Sequence, residues 1–432
     1  MCYAIPGKVE RIENNQVTVD YFGEKRQAYN ELAQISVGDY IYAQGGYAIT
    51  KIPEDEAKSI LAVWKETFFE LQEVDLKLSR LDLNQGSVSG EFLRILDKAS
   101  EGRKLSPDEL RSLIKEKNKP ALGLLFKTAN FLRQKHHKNS CCVHGIIEIS
   151  NYCSCNCNYC GIAKGNKNIK RYRLAGDQIL EAARQAIVEH GFKALVLQSG
   201  QDSGYSIEEL AEIIRKIKSN WPALIFISFG EVGLDNLKIL YDAGARGLLL
   251  RFETSNPKLY KQVTAGKDFS SRIAHLKKAY ELGYIVITGG LIGLPQQNEE
   301  DLLNDILLTK ELHAEMYSFG PFIMHPQTPL AKHPSPEVET VLKVIAISRI
   351  IDAANAKILV TTALETLHPD ARREALLSGA NSVMLNVTPL EYRSLYNIYP
   401  ARAHESESIE TQINDSIELL MSLGRSPTDL SI

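Results

Sequence analysis

From Ile146 onward the chain alternates between short, continuous apolar runs and longer segments with the 3.6-residue spacing of amphipathic helices. The runs are Ile146–Ser150, Ala194–Gln198, Leu224–Ser228, Leu248–Arg251, Ile285–Thr288, Met316–Phe319, Ile358–Thr362 and Ser382–Leu385. An uninterrupted apolar run is what a strand covered on both faces requires. Several of the intervening segments close on a glycine (Gly191, Gly244, Gly283, Gly379), the residue that most readily adopts the left-handed conformation ending a helix. Eight such units predict an α/β fold, a (β/α)8 barrel whose reactive groups gather just beyond the strand C-termini.

The first fifty residues follow another rhythm. Lys8–Ile12, Gln16–Asp20, Lys25–Tyr29, Tyr40–Ala43 and Tyr47–Thr50 read as short strands separated by turn residues (Asn14-Asn15, Gly23, Gly38-Asp39, Gly45-Gly46). Evenly spaced short strands of this kind predict a small, OB-like β-barrel. Pro53 and the acids after it open a helix with Ile60, Leu61, Trp64 and Phe68 on one face. The expected organisation is a β-barrel with its helix over 1–75, a polar, turn-rich linker over 76–92, and the large barrel over 93–432.

Composition narrows the function. The 432 residues are 44% apolar, enough for a large core, and the net charge of −3 is spread among interspersed signs, which argues against a nucleic-acid partner. The start, Met1-Cys-Tyr-Ala-Ile-Pro-Gly, has neither the basic nor the apolar region of a signal peptide. The longest apolar stretch, Tyr284–Leu294, is too short to span a bilayer. Every cysteine except Cys2 lies between Cys141 and Cys160, which is no disulfide framework. A cytoplasmic, reducing location without membrane contact is expected.

The strongest chemical signal follows the first barrel run. Cys153, Cys157 and Cys160 stand in C-x3-C-x2-C spacing, three thiolates that suit an iron–sulfur cluster. Structural zinc asks for four ligands; a fourth would have to be Cys155, Cys141, Cys142, distant Cys2 or a histidine. Cys155, between the ligands, reads as a bystander. Polar residues stand at the other strand ends too: Ser199 and Gln201 after the second, Glu231 after the third, Arg251 and Glu253 at the fourth, His325 after the sixth, Thr361 and Thr362 at the seventh.

The triplet resembles the signature of radical S-adenosylmethionine (SAM) enzymes, in which three cysteines hold a 4Fe–4S cluster and its open iron binds SAM. Further segments make the resemblance narrower: Ile146–Cys153, Asn166–Leu174, Val196–Asp202, Ser228–Glu231, Arg251–Thr254, Gly293–Pro295, Gly320–Leu330, Asn386–Pro389 and Tyr392–Pro400. Over about 91–400 the chain resembles the HydE family, radical SAM maturases of FeFe hydrogenase. The resemblance implies that Ser199, Gln201, Glu231, Arg251 and Glu253 orient SAM, that Tyr159 lies beside its adenine, and that His325, Thr361 and Thr362 face the substrate cavity. It also implies an electron donor such as ferredoxin or flavodoxin. Departures stand out: Met324-His325-Pro326-Gln327 replaces the usual Pro-His-Pro-Asp, position 201 is Gln where Glu is common, and residues 161–432 hold no cysteine for an auxiliary or sulfur-donating cluster.

Residues 1–75 resemble HypC/HupF hydrogenase-assembly chaperones through Met1–Val9, Val37–Tyr40 and Gly46–Ile49. In those chaperones a terminal cysteine binds iron carrying CO and CN, which makes Cys2 a candidate iron ligand; Gln44 stands where the family has histidine. Together the resemblances imply an enzyme of hydrogenase metallocofactor assembly. It would act on a cysteine-bound iron carbonyl–cyanide precursor and meet hydrogenase maturation proteins or a hydrogenase subunit. Two alternatives are a radical SAM enzyme acting on an amino-acid-like substrate and a non-catalytic chaperone.

Overall fold

The computed structural model describes residues 3–32, 34–83 and 88–430, so Cys2 lies outside the described residues. Strands β1 (Gly7–Glu13), β2 (Gln16–Tyr21), β3 (Glu24–Tyr29), β4 (Tyr40–Gln44) and β5 (Tyr47–Ile52) close into a barrel in the order β1-β2-β3-β5-β4. Alternate side chains of a strand point to one face, and here Val9, Val17, Val19, Tyr21, Ala28, Ile41 and Ala43 fill the interior with Tyr3 and Phe68. Phe68 belongs to α1 (Glu54–Leu78), whose first turn carries Glu54, Asp55 and Glu56 against the positive end of the helix dipole.

The expected linker over 76–92 is too long. α1 continues to Leu78, and α2 (Gly90–Ser100) begins directly after Ser89, whose Oγ accepts the Phe92 amide at 3.2 Å. The polar pattern that reads as a tether belongs in part to these exposed helix ends. α1 is also anchored: both carboxylate oxygens of buried Asp75 accept from Arg133 at 2.7 Å, and Arg425 Nε stands 3.1 Å away. α3 (Pro107–Lys115) and α4 (Lys119–His137) lead to the large barrel.

The large barrel's first five strands are β6 (Ser140–Ser150), β7 (Ala194–Ser199), β8 (Leu224–Ser228), β9 (Ala245–Leu249) and β10 (Ile285–Thr288). A two-residue strand β11 (Leu291–Ile292) precedes β12 (Met316–Tyr317); β13 (Gly320–Pro321) pairs with β11, and β14 (Lys357–Val360) and β15 (Ser382–Asn386) complete the set. The eight long-range parallel partners run β6-β7-β8-β9-β10-β12-β14-β15, and β15 returns to β6 from Ser382–Cys142 to Asn386–Ile146. β16 (Ser426–Pro427) lies beside the start of β6. Outward residues such as Val143, Ile147, Leu195 and Ile225 meet the helices, whereas Cys142, Val196, Phe226, Ile287, Met316 and Leu359 pack inside the cylinder. β6 starts six residues before the expected Ile146 because Cys142 and His144 interrupt its apolar run while still facing inward.

The two barrels are docked. The β4–β5 turn presses on the N-terminal end of the large barrel: a Cβ on Gly45 (φ +55°) would lie 2.5 Å from Leu224 Cδ2. Tyr47 and Ile49 join the apolar cluster inside the barrel foot. Glu31 pairs with Arg246 at 2.6 Å, the Lys193 ammonium stands 4.9 Å from the Tyr42 ring centre, and the Ala4 amide donates to Pro427 O at 3.3 Å. In such barrels this face carries stability, and chemistry sits at the opposite end. No helix among the described residues is long and apolar enough to cross a membrane.

Replacing Asp75 by Ala leaves two buried guanidinium groups, Arg133 and Arg425, without their shared carboxylate. Chemical denaturation should show a loss of about 3–5 kcal/mol, the cost of breaking a buried ion pair from one side.

Candidate active site

Beyond β6 the chain turns through the cysteine triplet, and neighbouring loops fix that turn by backbone bonds. The Ser154 amide donates to Gln201 O at 2.8 Å, Asn158 to Val263 O at 2.8 Å, and Gly161 to Ile398 O at 2.9 Å. Arg171 closes the loop from below. Its guanidinium donates to the carbonyls of Asn151, Ile162 (2.8 Å), Ala163 (2.7 Å) and Asn166 (3.2 Å). Gly200 is required at the crossing, because a Cβ there would stand 2.3 Å from Tyr152 O and 2.7 Å from Cys153 Cβ.

The sulfur atoms suit an iron–sulfur cluster. Cys153 Sγ accepts the amides of Cys155 and Gln201 at 3.4 Å each, the kind of bond that tunes cluster sulfurs. Burial, reinforced by neighbouring cysteine charge, pushes the Cys157 thiol up to about 11 and the Cys160 thiol up to about 12. Metal binding at neutral pH therefore displaces protons. Cys155 differs: its Sγ lies 3.2 Å from Gln201 Oε1, and its bond with Cys153, with Lys267 nearby, lowers its pKa below the ordinary thiol value.

A cavity of about 330 Å³ opens beside the triplet, within the range of small-molecule sites. Tyr159, Ser199, Gln201, Arg251, Thr361 and Thr362 all line it. Glu231 and Glu253 stand behind that wall. Glu231 accepts from Lys267 (3.0 Å), Arg272 (2.9 Å) and Ser271 (2.8 Å). Burial opposes its charge, yet Arg272 and Lys267 hold its carboxyl down to about 2. Glu253, in a left-handed backbone conformation (φ +67°), accepts from the Tyr159 hydroxyl at 3.1 Å and lies 3.5 Å from Arg251 Nε. His325 does not line the cavity: a Cβ on Gly161 would meet its ring at 2.5 Å, so the ring packs against the cysteine loop.

Several lining groups escaped the sequence analysis. Glu148, from β6, pairs with Arg402 (Nη2–Oε2 2.9 Å) and accepts from Asn386 at 3.1 Å. Tyr396 accepts from Gln198 at 3.2 Å, and Arg272 reaches in from the helix Phe269–Leu282. An acid inside an otherwise apolar run was the available signal for Glu148; Arg402 and Arg272 offered none, because only the fold brings them here. At the rim, His404 Nε2 lies 2.7 Å from Glu365 and Nδ1 2.8 Å from Glu407.

Arg171→Met should lower the iron bound per chain after reconstitution, with activity per cluster retained; iron analysis beside a SAM-cleavage assay checks this. The hydrogen bond to Glu365 raises the His404 pKa above its ordinary value of 6.5. That contribution to stability is complete below the ordinary histidine range and fades as pH rises through the raised value. Denaturation profiles of the wild type and His404→Gln should therefore converge as pH climbs through that window.

Known proteins resemble the chain in both of its domains. Residues 147–308 match the Radical SAM superfamily, and residues 1–64 match the HupF/HypC family. The chain is 37% identical over 333 residues to the FeFe hydrogenase maturase subunit HydE of Thermotoga maritima, covering 77% of this chain and 94% of that protein. It is 27% identical over 339 residues to 3-methylornithine synthase of Methanosarcina acetivorans, covering 77% and 93%. The crystal structure of methylornithine synthase PylB superposes with a TM-score of 0.69 at 25% identity, over 77% of this chain and 97% of that one. The maturase HydG shares the fold, with a TM-score of 0.68 at 19% identity over 85% and 79%. The chain belongs to the HydE family of radical SAM enzymes and carries a HupF/HypC domain at its N-terminus.

Proposed function

We propose that the protein acts in hydrogenase metallocofactor assembly, modifying a cysteine-bound iron carbonyl–cyanide precursor in the large barrel. The observation that supports this most strongly is the match to HydE across nearly all of that protein's length, joined in one chain to a HupF/HypC domain. Both relatives belong to hydrogenase assembly by name or by the chaperone resemblance.

When bound, the cluster and SAM supply a reductively generated 5′-deoxyadenosyl radical, with the electron coming from a donor such as ferredoxin or flavodoxin. Cys153, Cys157 and Cys160 would hold the cluster. Tyr159, Ser199, Gln201 and Arg251 would position SAM along the cavity wall. Glu231 would act one layer back, keeping Lys267 and Arg272 charged and aimed. Glu253, fixed by Tyr159, would orient Arg251 in the same way. Arg251, Arg272 and Arg402 place three carboxylate-paired guanidinium groups on the cavity wall, donors that suit an anionic iron complex, and Thr361 Oγ1, buried without a hydrogen-bond partner among the described residues, is available to it. With SAM and substrate filling the cavity, the surrounding strands and loops would keep water from the reactive centre.

The HupF/HypC domain would engage the assembly partner or hold the iron unit on Cys2. Tyr3 and Ala4 are anchored at the barrel foot, away from the cysteine triplet. Between that foot and the cavity, Val196, Phe226, Ile287 and their neighbours pack along the barrel axis. Partner docking by this domain, with the precursor entering at the open face, fits the arrangement better.

One specific observation favours an organic substrate instead: the methylornithine synthase match covers the same share of this chain. An anaerobic assay separates the readings. Enzyme, reductant and SAM with a synthetic cysteine-bound iron carbonyl–cyanide complex should give 5′-deoxyadenosine and shift the complex's CO and CN infrared bands, neither occurring with Cys153→Ala. SAM cleavage that leaves those bands unchanged, while an amino-acid-derived product forms from a cell extract, would contradict the proposal. A Cys153→Ala chain that retains full function in vivo would make the protein a non-catalytic chaperone.

A further inference from the structure

A second cluster of potential metal ligands lies at the other end of the barrel. Cys142 and His144 occupy successive inward positions of β6, and Asp429 reaches them from the C-terminal segment just after β16. One ligand atom from each residue lies within 4.8 Å of the other two. All three side chains are buried, with His144 at 2% and Asp429 at 1% exposure. His144 Nε2 stands 3.2 Å from Asp429 Oδ2, and the ring stacks on Phe226 at 5.1 Å between centres. Its Nδ1 is buried without a hydrogen-bond partner among the described residues. An imidazole so placed keeps an unused ring nitrogen, which burial ordinarily forbids.

We infer that Cys142, His144 and Asp429 form a binding site for one divalent transition metal, zinc or ferrous iron, at the foot of the barrel. A thiolate, an imidazole and a carboxylate together are the donor set of such ions, whereas magnesium and calcium take oxygen ligands. Ligand atoms around a tetrahedral ion with bonds of about 2.0–2.3 Å stand roughly 3.3–3.8 Å apart, so the spacing here needs only small side-chain adjustments. Binding removes the Cys142 proton, and the two resulting negative charges match a dication. Without an ion, His144 is the charge partner of Asp429, while Lys357, also buried, pairs with Glu315 at 3.1 Å.

The position gives the ion a structural consequence. Cys142 packs in the same apolar cluster as Tyr47 and Ile49 of the β4–β5 hairpin. Pro427, two residues before Asp429, accepts the Ala4 amide. A bound metal would join the C-terminal segment to β6 directly beneath the docked small barrel. From His144 to Ser150 the strand spans about 20 Å at roughly 3.3 Å per residue, so this site is separate from the cysteine triplet. The inference does not depend on the proposed substrate.

Zinc is the probe, because its absorption edge is free of the cluster's iron. Cluster-loaded protein equilibrated with zinc and desalted should retain about one zinc per chain. X-ray absorption should show one sulfur and otherwise nitrogen or oxygen ligands. Cys142→Ala and His144→Gln should lose that zinc while keeping their iron, circular dichroism and melting temperature confirming that they fold. Zinc in an all-sulfur environment, zinc retained by folded variants, or no stoichiometric zinc in the wild type would each overturn the site. The wild-type spectrum decides the matter even where a variant fails to fold.

Discussion

The large barrel closes through β6, and the placement of nearly every functional group depends on that strand. It pairs with β7 on one side and β15 on the other, so its side chains alternate between the helical shell and the interior as far as Glu148, beyond which the register with β7 shifts. Its inward positions run from Cys142 and His144 at the foot, through apolar Ile146, to Glu148 at the cavity, and the chain then turns into the cysteine triplet. One strand therefore sets the depth of the foot, the apolar plug and the reactive end. A slip of one residue would reverse every one of these assignments.

Charge is handled differently at the two ends of this cylinder. At the open end, cations are held by carboxylates: Glu231 behind Arg272 and Lys267, Glu253 behind Arg251, and Glu148 beside Arg402 on the cavity wall itself. Such buried pairs add little net stability, but they fix long, flexible side chains along a cavity wall. At the foot, apolar side chains surround the buried cluster of Cys142, His144 and Asp429, and the β4–β5 hairpin packs beneath them. The fused domain thus completes the stabilising face of the barrel and leaves the reactive face open to SAM and substrate.

Much of this was legible in the sequence because it is carried by local pattern. The eight apolar runs marked the strands, although β6 and β9 began earlier and β9, β12 and β14 ended sooner than the runs implied. The C-x3-C-x2-C spacing and the polar residues at strand ends marked the cavity, and Tyr159, Ser199, Gln201, Arg251, Thr361 and Thr362 do line it. What the sequence hid depends on long-range geometry. Whether Glu231 and Glu253 face the cavity or stand behind it is decided by Lys267, Arg272 and Tyr159, which are distant in sequence or direct their groups through loops. His325 is drawn away from the cavity by the space above Gly161. The expected linker overlaps the exposed ends of α1 and α2, and the anchoring of α1 by Asp75 to Arg133 and Arg425 was hidden because those partners are distant in sequence.

The central claim is that a radical SAM barrel and an iron-handling domain serve one organometallic task within one chain. Infrared spectroscopy of protein purified anaerobically from its native host, in the CO and CN stretching region, tests it most directly when the wild type is compared with Cys2→Ala. The account predicts sharp CO and CN bands in the wild type, lost in the variant if the iron unit rests on the terminal thiolate and kept if it rests in the barrel. A protein that cleaves SAM yet shows no such bands, alone or after turnover with its hydrogenase-assembly partners, would contradict it.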